Sequence, residues 1–452
     1  MAGELWRMGA SDLAAAIRSK EVSSREVVKA HLDRIADVNP KINSVTVVLE
    51  DALANADAAD GVPFTVKENI DLVGSATTQG LVAMEHALPP LDAPHVAQLK
   101  AAGAVPIART NLPDFGMRWH SDNALRGATK NPWDASRTPG GSSGGEAASL
   151  ATGMTPLGLG NDYGGSLRWP SQCCGTTAIR PTLGRVPDAS SLAPEEFPIT
   201  LQLMAVQGPM ARHVRDLRLA LSCMSGADAR DPWWTPAPLA GPDVAKRVAV
   251  TVDPGGEGVD QDVAAGVRRA AAALKDAGYE VENVDPPAVG AGRDIWAKEV
   301  MAEMRVGLLP LLKQVASEDA LTFLDQAMAV VGELDYAGYV GSFGTRNGIA
   351  REWAQFQERY PLVLGPVATM QPFPAGFDIA GADEVATIMR AMRLVVVCNL
   401  LGLPSVAVPV GVANGLPQGV QIIGGRYHED LCLDAAEAIE QRLGVITPID
   451  PV

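Results

Sequence analysis

The sequence contains few of the residues from which metal sites and disulfide frameworks are built. Its 452 residues include five cysteines and six histidines. No two cysteines are spaced as Cys-x-x-Cys, and the histidines form neither His-x-x-x-His nor His-Glu-x-x-His. Because zinc sites and disulfide-rich domains show such spacings, the sequence argues against a metalloenzyme and predicts a reduced, cytoplasmic protein.

The sequence also lacks long hydrophobic runs and an excess of basic residues. Its longest apolar stretches, at 394–398 and 406–412, are far shorter than the roughly 18 residues that span a bilayer. No basic region followed by an apolar core opens the chain, so we expect no secretory signal. Lysine and arginine number 37 against 53 aspartates and glutamates, a net charge of −16. Such a surface repels phosphate backbones, and we expect neither a nucleic-acid nor a membrane partner.

Helical segments alternate with short apolar strands along the chain. A capping box at Ser23 and Glu26 begins a helix that we expect to end at Asn39 and Pro40. Apolar runs predict strands at 62–66, 105–108, 155–159, 248–252, 279–284 and on both sides of a turn at 414–417. This alternation is typical of an α/β protein. No repeat or flexible linker divides residues 1–452, so we predict a single domain.

Two glycine-rich loops that contain serine lie close together, at 140–145 and 158–166. A phosphate-binding P-loop requires Gly-Lys-Ser/Thr, but here Glu146 follows the glycines and would repel a phosphate. The second loop imitates a dinucleotide fingerprint, but Pro170 interrupts the helix that must follow, and no acidic residue follows until Asp188. These departures argue against nucleotide binding. A non-enzymatic nucleotide-binding protein stays an alternative, which covalent labelling of an activated serine would test.

The first loop also matches the Gly-x-Ser-x-Gly elbow that carries the nucleophile of Ser-His-Asp hydrolases. That elbow requires a strand directly before the serine, whereas SRTP stands at 136–139. The triad would also need His213 or His428, and both stand among charged residues typical of a solvated surface. We keep a Ser-His-Asp esterase as an alternative.

One family accounts for both loops. The stretches PGGSSGGEAA at 139–148 and GLGNDYGGSLR at 158–168 resemble the signature of the amidase signature family of serine hydrolases. Shorter matches follow the family's order: VKENI at 66–70, RTNLPDF at 109–115, CG at 174–175, RPT at 180–182, GPMAR at 208–212, GLP at 402–404, PVG at 409–411 and GVQIIG at 419–424. The resemblance covers nearly the whole chain, with a signature core at 60–215. It implies a central mixed β-sheet flanked by α-helices on both faces.

The resemblance also implies a Ser–cis-Ser–Lys triad. Carried onto this chain, Ser166 is the nucleophile, Ser142 the bridging serine after a cis peptide bond, and Lys67 the base. The implied oxyanion hole consists of the backbone N–H groups of Tyr163, Gly164, Gly165 and Ser166. Three positions outside the triad depart from the family pattern, namely Glu68, Asn161 (where Thr or Ser is usual) and Arg180.

Amide cleavage independently requires groups of these kinds. A serine hydroxyl must lose its proton as it attacks an amide, and a lysine can take that proton only when it is neutral. Burial lowers the pKa of a lysine, and Lys67 follows the apolar run at 62–66. Glycines let successive N–H groups converge on an oxyanion, each donor contributing about 3 kcal/mol. We therefore predict an amide hydrolase that forms an acyl-enzyme on Ser166 and uses no metal or organic cofactor.

The substrate is predicted from the side chains expected around the cleft. Gly116, Met117 and Arg168 are the candidates for substrate contact. For Arg168 we expect first that it braces the nucleophile loop by hydrogen bonds, with contact to a substrate carboxylate as the alternative. Helices at 290–390 are expected to build the pocket. The apolar residues assigned to this pocket are Phe115, Trp119, Tyr163, Trp169, Trp296, Met301, Met304, Phe323 and Phe343. Such walls favour a neutral aryl or alkyl amide, or a carbamate, because apolar burial contributes about 25 cal/mol per Å².

The expected partner is this small molecule, bound by a monomer or a homodimer. The family also includes amidotransferase subunits, which pass ammonia to a tRNA-linked substrate. The acidic charge argues against that alternative, and copurification of partner subunits would test it.

Overall fold

A computed structural model describes residues 2–192 and 196–452. Its strands form one sheet. They are β1 (Val45–Val48), β2 (Pro63–Lys67), β3 (Val105–Thr110), β4 (Leu157–Asp162), β5 (Thr177–Arg180), β6 (Val206–Ala211), β7 (Arg247–Val250), β8 (Glu280–Asn283), β9 (Leu362–Pro366), β10 (Ser405–Ala413) and β11 (Leu416–Gly424).

The helices surround this sheet. They are α1 (Ala10–Arg18), α2 (Ser24–Ile42), α3 (Ala52–Ala58), α4 (Pro94–Ala101), α5 (Gly144–Ala151), α6 (Arg168–Cys174), α7 (Ile199–Met204), α8 (Val214–Met224), α9 (Gln261–Asp276), α10 (Val289–Glu303), α11 (Leu309–Val315), α12 (Glu318–Val331), α13 (Tyr336–Arg359), α14 (Ala382–Ala391), α15 (Arg393–Leu401) and α16 (Glu429–Leu443). Short 3-10 turns lie at Ala2–Arg7, Val82–Met84, Asp114–Gly116 and Phe377–Ile379, and a π-helical turn at Met304–Leu308. Within the described residues, no helix is both long and apolar enough to cross a bilayer.

The sheet is mixed, with the strand order β1-β3-β2-β4-β6-β5-β10-β11-β9-β7-β8. Strand β2 runs parallel to both β3 and β4, whereas β6 is antiparallel to β4 and β5. The carboxyl ends of β2 and β4 therefore meet at one edge of the sheet, where α/β proteins commonly bind their ligands.

Successive residues of the central strands pack on opposite faces of the sheet. In β7, Val248 and Val250 belong to one apolar cluster and Ala249 to another, as alternation in a strand requires. One cluster joins the sheet to α1, α4, α8, α9 and α16, and the other joins it to α5, α6, α10, α12, α14 and α15. Helices thus cover both faces, and the predicted α/β fold is confirmed.

Two predictions made from prolines were wrong. Helix α2 continues through Pro40 to Ile42 and ends at Asn43, which takes a left-handed conformation. Helix α6 begins at Arg168, so Pro170 lies in its first turn. The first N–H groups of a helix have no partner inside the helix, and a proline there therefore costs no hydrogen bond.

Candidate active site

Lys67 ends strand β2 and is completely buried. Its Nζ donates hydrogen bonds of 2.7 Å to Ser142 Oγ and of 2.7 Å to Asn161 Oδ1. Asn161 lies near the end of β4, and its side chain also exchanges hydrogen bonds with Asn69, which follows β2. The parallel pairing of β2 with β4 brings these polar groups together at one edge of the sheet.

Burial changes the protonation of this lysine. It lowers the pKa of Lys67 to about 7, while the carboxylates of Asp162 and Glu146 oppose the shift. Glu146 is itself buried and accepts hydrogen bonds from Thr65 and Thr110, and burial raises its pKa to about 7. A substantial fraction of Lys67 is therefore neutral near pH 7, as a base requires.

Close packing holds the loop that carries Ser142. The peptide bond between Gly141 and Ser142 is cis. A side chain at Gly141 would overlap the backbone around Arg118, so only glycine fits there. Ser142 stands just before α5, where Ser143 occupies the cap position without capping the helix through its side chain. The Ser143 hydroxyl instead donates a long hydrogen bond of 3.5 Å to the Asn161 carbonyl.

Asp162 organises the loop that leads to Ser166. It accepts hydrogen bonds from the backbone N–H groups of Gly165 (2.8 Å) and Leu167 (3.2 Å), and it pairs with Arg168 at 3.0 Å. Arg168 is completely buried and also donates to Gln421 and Asn399. Of the two roles considered for Arg168, the structure fits bracing of the loop, because its guanidinium is directed into the protein; as a substrate contact Arg168 does not fit, since it does not line the cavity.

Loss of this ion pair should destabilise the fold. Arg168→Met leaves the carboxylate of Asp162 buried without its partner, and such losses cost about 3–5 kcal/mol of unfolding free energy. Urea denaturation of the variant measures the loss. The double variant Asp162→Leu/Arg168→Met removes both charges and should recover part of the stability. A single variant as stable as the wild type would contradict the bracing role.

Ser142 and Ser166 line the same cavity, which has a volume of about 620 Å³. Ser166 is 7% exposed. Within the described residues, the N–H groups of Tyr163, Gly164 and Ser166 have no hydrogen-bond acceptor, whereas the N–H of Gly165 is bound to Asp162. The structure therefore leaves three of the four predicted oxyanion donors available. The fourth differs because its N–H is already held by the carboxylate that shapes the loop.

The cavity wall differs from the prediction. Of the expected contacts, Gly116, Phe115 and Tyr163 line it, but Met117 packs against the apolar core instead. From residues 290–390, Leu308, which was not among the assigned residues, lines the cavity. The apolar residues that were assigned to the pocket from this segment lie outside its lining. The assigned residues that are buried in the core are Trp119, Trp169, Trp296, Met301, Met304 and Phe323. Most of the remaining wall comes from 69–95, 183–191, 196–207 and 230–233.

Acidic side chains outnumber basic ones along this wall. Among the described residues it carries Asp71, Asp188, Glu196 and Asp231 against the single cation Arg230. His95 also lines it, whereas His213 and His428, the candidates for a Ser-His-Asp triad, do not. No group of three or more histidine, cysteine, aspartate or glutamate side chains in the described part of the chain could hold a metal ion.

Comparison with known proteins identifies the family. A family model described as Amidase matches residues 26–433. The chain therefore belongs to the amidase signature family, and it is an amide hydrolase. Both predictions are confirmed.

Three known proteins show what this chain resembles. An indoleacetamide hydrolase of Bradyrhizobium diazoefficiens is 44% identical over 98% of this chain and 88% of its own length. A glutamyl-tRNA(Gln) amidotransferase subunit from a Roseiflexus species is 33% identical, with 97% of this chain and 96% of that protein covered. The crystal structure of a bacterial aryl acylamidase, 25% identical, superposes with a TM-score of 0.83 and covers 96% of each chain.

Proposed function

We propose that this amidase acts through Ser166, Ser142 and Lys67. The observation that carries the proposal is the buried, weakly basic Lys67, hydrogen-bonded to Ser142 in the cavity that Ser166 also lines. As Ser166 Oγ attacks the carbonyl carbon, its proton passes to Ser142, and the Ser142 proton passes to Lys67 Nζ. A neutral lysine accepts this proton, so the attacking oxygen becomes a nucleophile without a metal.

The remaining steps return the proton. The tetrahedral oxyanion receives hydrogen bonds from the N–H groups of Tyr163, Gly164 and Ser166, and loss of one such donor typically costs about 3 kcal/mol in the barrier. The C–N bond then breaks as Lys67, through Ser142, protonates the leaving nitrogen. Water attacks the acyl-Ser166 ester by the same route in reverse, which releases the carboxylic acid and regenerates the enzyme.

We infer that the substrate is a neutral amide with an aryl group. The cavity offers apolar side chains, including Phe115, Tyr163, Leu201 and Trp233, for burial of an aromatic ring. Its excess of carboxylates disfavours an anionic substrate, and Arg168 lies too deep to offset that charge. The names of the indoleacetamide hydrolase and the aryl acylamidase give the same substrate class. Aryl carbamates share the tetrahedral intermediate and are expected substrates.

A substrate panel tests this inference. We expect kcat/KM for indole-3-acetamide, 4-nitroacetanilide and an N-aryl carbamate to exceed that for glutamine by about 100-fold or more, because glutamine carries a carboxylate and no apolar ring to bury. Release of ammonia, nitroaniline and arylamine is measured on one enzyme preparation. If glutamine were the best substrate, the amidotransferase alternative would replace this inference.

The amidotransferase alternative has less support than an isolated amidase. The amidotransferase relative shares 33% identity with this chain, against 44% for the indoleacetamide hydrolase. A net charge of −16 also opposes binding of tRNA. Purification from native cells, followed by identification of any copurifying subunits, separates an isolated amidase from a member of a transferase complex.

A further inference from the structure

Buried polar groups without hydrogen-bond partners line one part of the cavity. Within the described residues, neither ring nitrogen of His95 has a partner and Gln207 Oε1 has none, although His95 is completely buried and Gln207 is 7% exposed. Both residues line the cavity, together with Asp188, which accepts a 2.9 Å hydrogen bond from Gln207 Nε2. We call His95, Asp188 and Gln207 the polar end of the cavity. Buried polar atoms normally have partners, so these atoms in the cavity wall are available to bind a polar group of a ligand.

The polar end is structurally continuous with the proposed catalytic groups. Gln207 on β6 lies directly opposite Asn161 on β4, and Asn161 accepts a hydrogen bond from Lys67. Side chains of directly opposed residues share one face of an antiparallel pair, with Cβ atoms about 5 Å apart. A molecule whose amide lies at Ser166 therefore has the Gln207 side chain within reach of its other end.

The groups of the polar end favour a hydrogen-bond donor. Gln207 Oε1 is an acceptor, and Asp188 provides carboxylate oxygens. Burial lowers the pKa of His95 to about 4; Arg230 lowers it further, and the Pro187 carbonyl partly opposes the shift. The ring is therefore neutral, with one nitrogen that accepts a hydrogen bond and one that donates. Asp71 and Asp231 lie close enough to help raise the pKa of Asp188 to about 6, although burial is the main cause. These surroundings disfavour an anion.

We propose that the polar end is a specificity subsite that accepts hydrogen bonds from an N–H group of the substrate, at the end remote from the scissile amide. The proposal rests on the proposed function, because it concerns the same cavity. Two kinds of group share this chemistry: a neutral ring N–H, such as that of an indole, and an alkylammonium group. An aromatic ring without either would leave Gln207 Oε1 and His95 unpaired, which a site built for a donor disfavours.

Two matched substrate pairs test the subsite. Indole-3-acetamide is compared with 1-benzothiophene-3-acetamide, in which sulfur replaces the ring N–H. The second pair is 4-(aminomethyl)phenylacetamide and 4-ethylphenylacetamide, in which a methyl group replaces the ammonium. We expect the donor member of at least one pair to have the larger kcat/KM, by about tenfold, as for one buried hydrogen bond.

Variants assign this preference to the polar end. Gln207→Leu removes the unpaired acceptor Oε1. It should bring the ratio of kcat/KM between the donor and non-donor members of a pair close to one. Gln202→Leu makes the same chemical change elsewhere on the cavity wall and should keep the wild-type ratio. The preferred pair distinguishes a ring N–H from an ammonium group. Equal kcat/KM within both pairs, or a ratio that Gln207→Leu leaves unchanged, would overturn the proposal.

A binding measurement keeps the outcome independent of catalysis. Titration calorimetry of the same pairs with Ser166→Ala protein should show about tenfold tighter binding of the donor member, the same ratio expected for one buried hydrogen bond. If the enzyme hydrolyses none of the four amides, the proposed function fails, and the calorimetric ratio alone decides the subsite. If it hydrolyses all four without preference and binds them equally, the subsite fails and the proposed function stands.

Discussion

Ser166→Ala should reduce amide hydrolysis by about 10⁴-fold or more while the protein stays folded, since loss of the nucleophile removes the acyl-enzyme pathway. Ser166 is 7% exposed in the cavity, and the loop around it is held by Asp162 rather than by the serine hydroxyl. The small change to alanine should therefore leave the loop in place. Steady-state rates, with circular dichroism as the check on folding, measure the effect.

Covalent labelling locates the nucleophile directly. A fluorophosphonate should modify the wild type on the peptide that contains Ser166, and Ser166→Ala should not react. Ser143→Ala is the matched control and should still be labelled, because Ser143 is a buried serine of the neighbouring loop and makes a single long hydrogen bond to the Asn161 carbonyl. An adduct on Ser142 or Ser143 in the wild type would contradict the assignment of Ser166.

The sequence predicted the strands that lie on short runs rich in apolar residues. Strands β2, β3, β4, β7, β8, β10 and β11 lie where strands were predicted, within a few residues. Strand β6 was not predicted, because Gly208 and Pro209 within it resemble a turn. Strand β9 was hidden in a segment that is otherwise helical, and its short apolar core does not distinguish strand from helix. Its place in the sheet depends on pairing with β11 and β7, and the residues of β9 alone do not reveal those partners.

In the candidate site, too, some residues could be predicted from the sequence and others could not. Lys67, Ser142 and Ser166 were named from the resemblance to the family signature. In the structure Ser142 and Ser166 line one cavity, and Lys67 is hydrogen-bonded to Ser142. The wall residues could not be deduced, because the sequence does not say which way a side chain points. Arg168 follows Ser166 by two residues, yet its side chain is directed inward by its pairing with Asp162.

Other site residues were missed because strand pairing, rather than residue type, places them at the site. Gln207 belongs to the cavity only because β6 is antiparallel to β4, which places it opposite Asn161. Asn161 itself was noted as a departure from the family pattern, and the structure shows that it accepts a hydrogen bond from Lys67. The unusual residue at position 161, next to a proposed catalytic group, was therefore a sequence feature that could have pointed to this contact.

Substitution of Lys67 should abolish activity even where positive charge is kept. We expect Lys67→Arg and Lys67→Met each to lower kcat by about 10³-fold or more, because guanidinium cannot accept the proton and methionine has no base. Lys67→Met replaces a buried amine by an apolar chain of similar size, so it should fold at least as well as the wild type. Lys100→Arg makes the same lysine-to-arginine exchange on the surface, and this control should keep the activity of the wild type. Activity like that of the wild type in Lys67→Arg would exclude lysine as the base.

The pH dependence of the wild type tests the same role of Lys67 without a substitution. The base must be neutral, and burial lowers the pKa of Lys67 to about 7. For a neutral amide, kcat/KM should therefore fall about tenfold per pH unit below about pH 6 and reach a plateau above about pH 8. A lysine with an ordinary pKa of about 10.4 would instead give activity that still rises between about pH 8 and 10. Such a continued rise would show that burial does not keep Lys67 neutral, and the proton would need another acceptor.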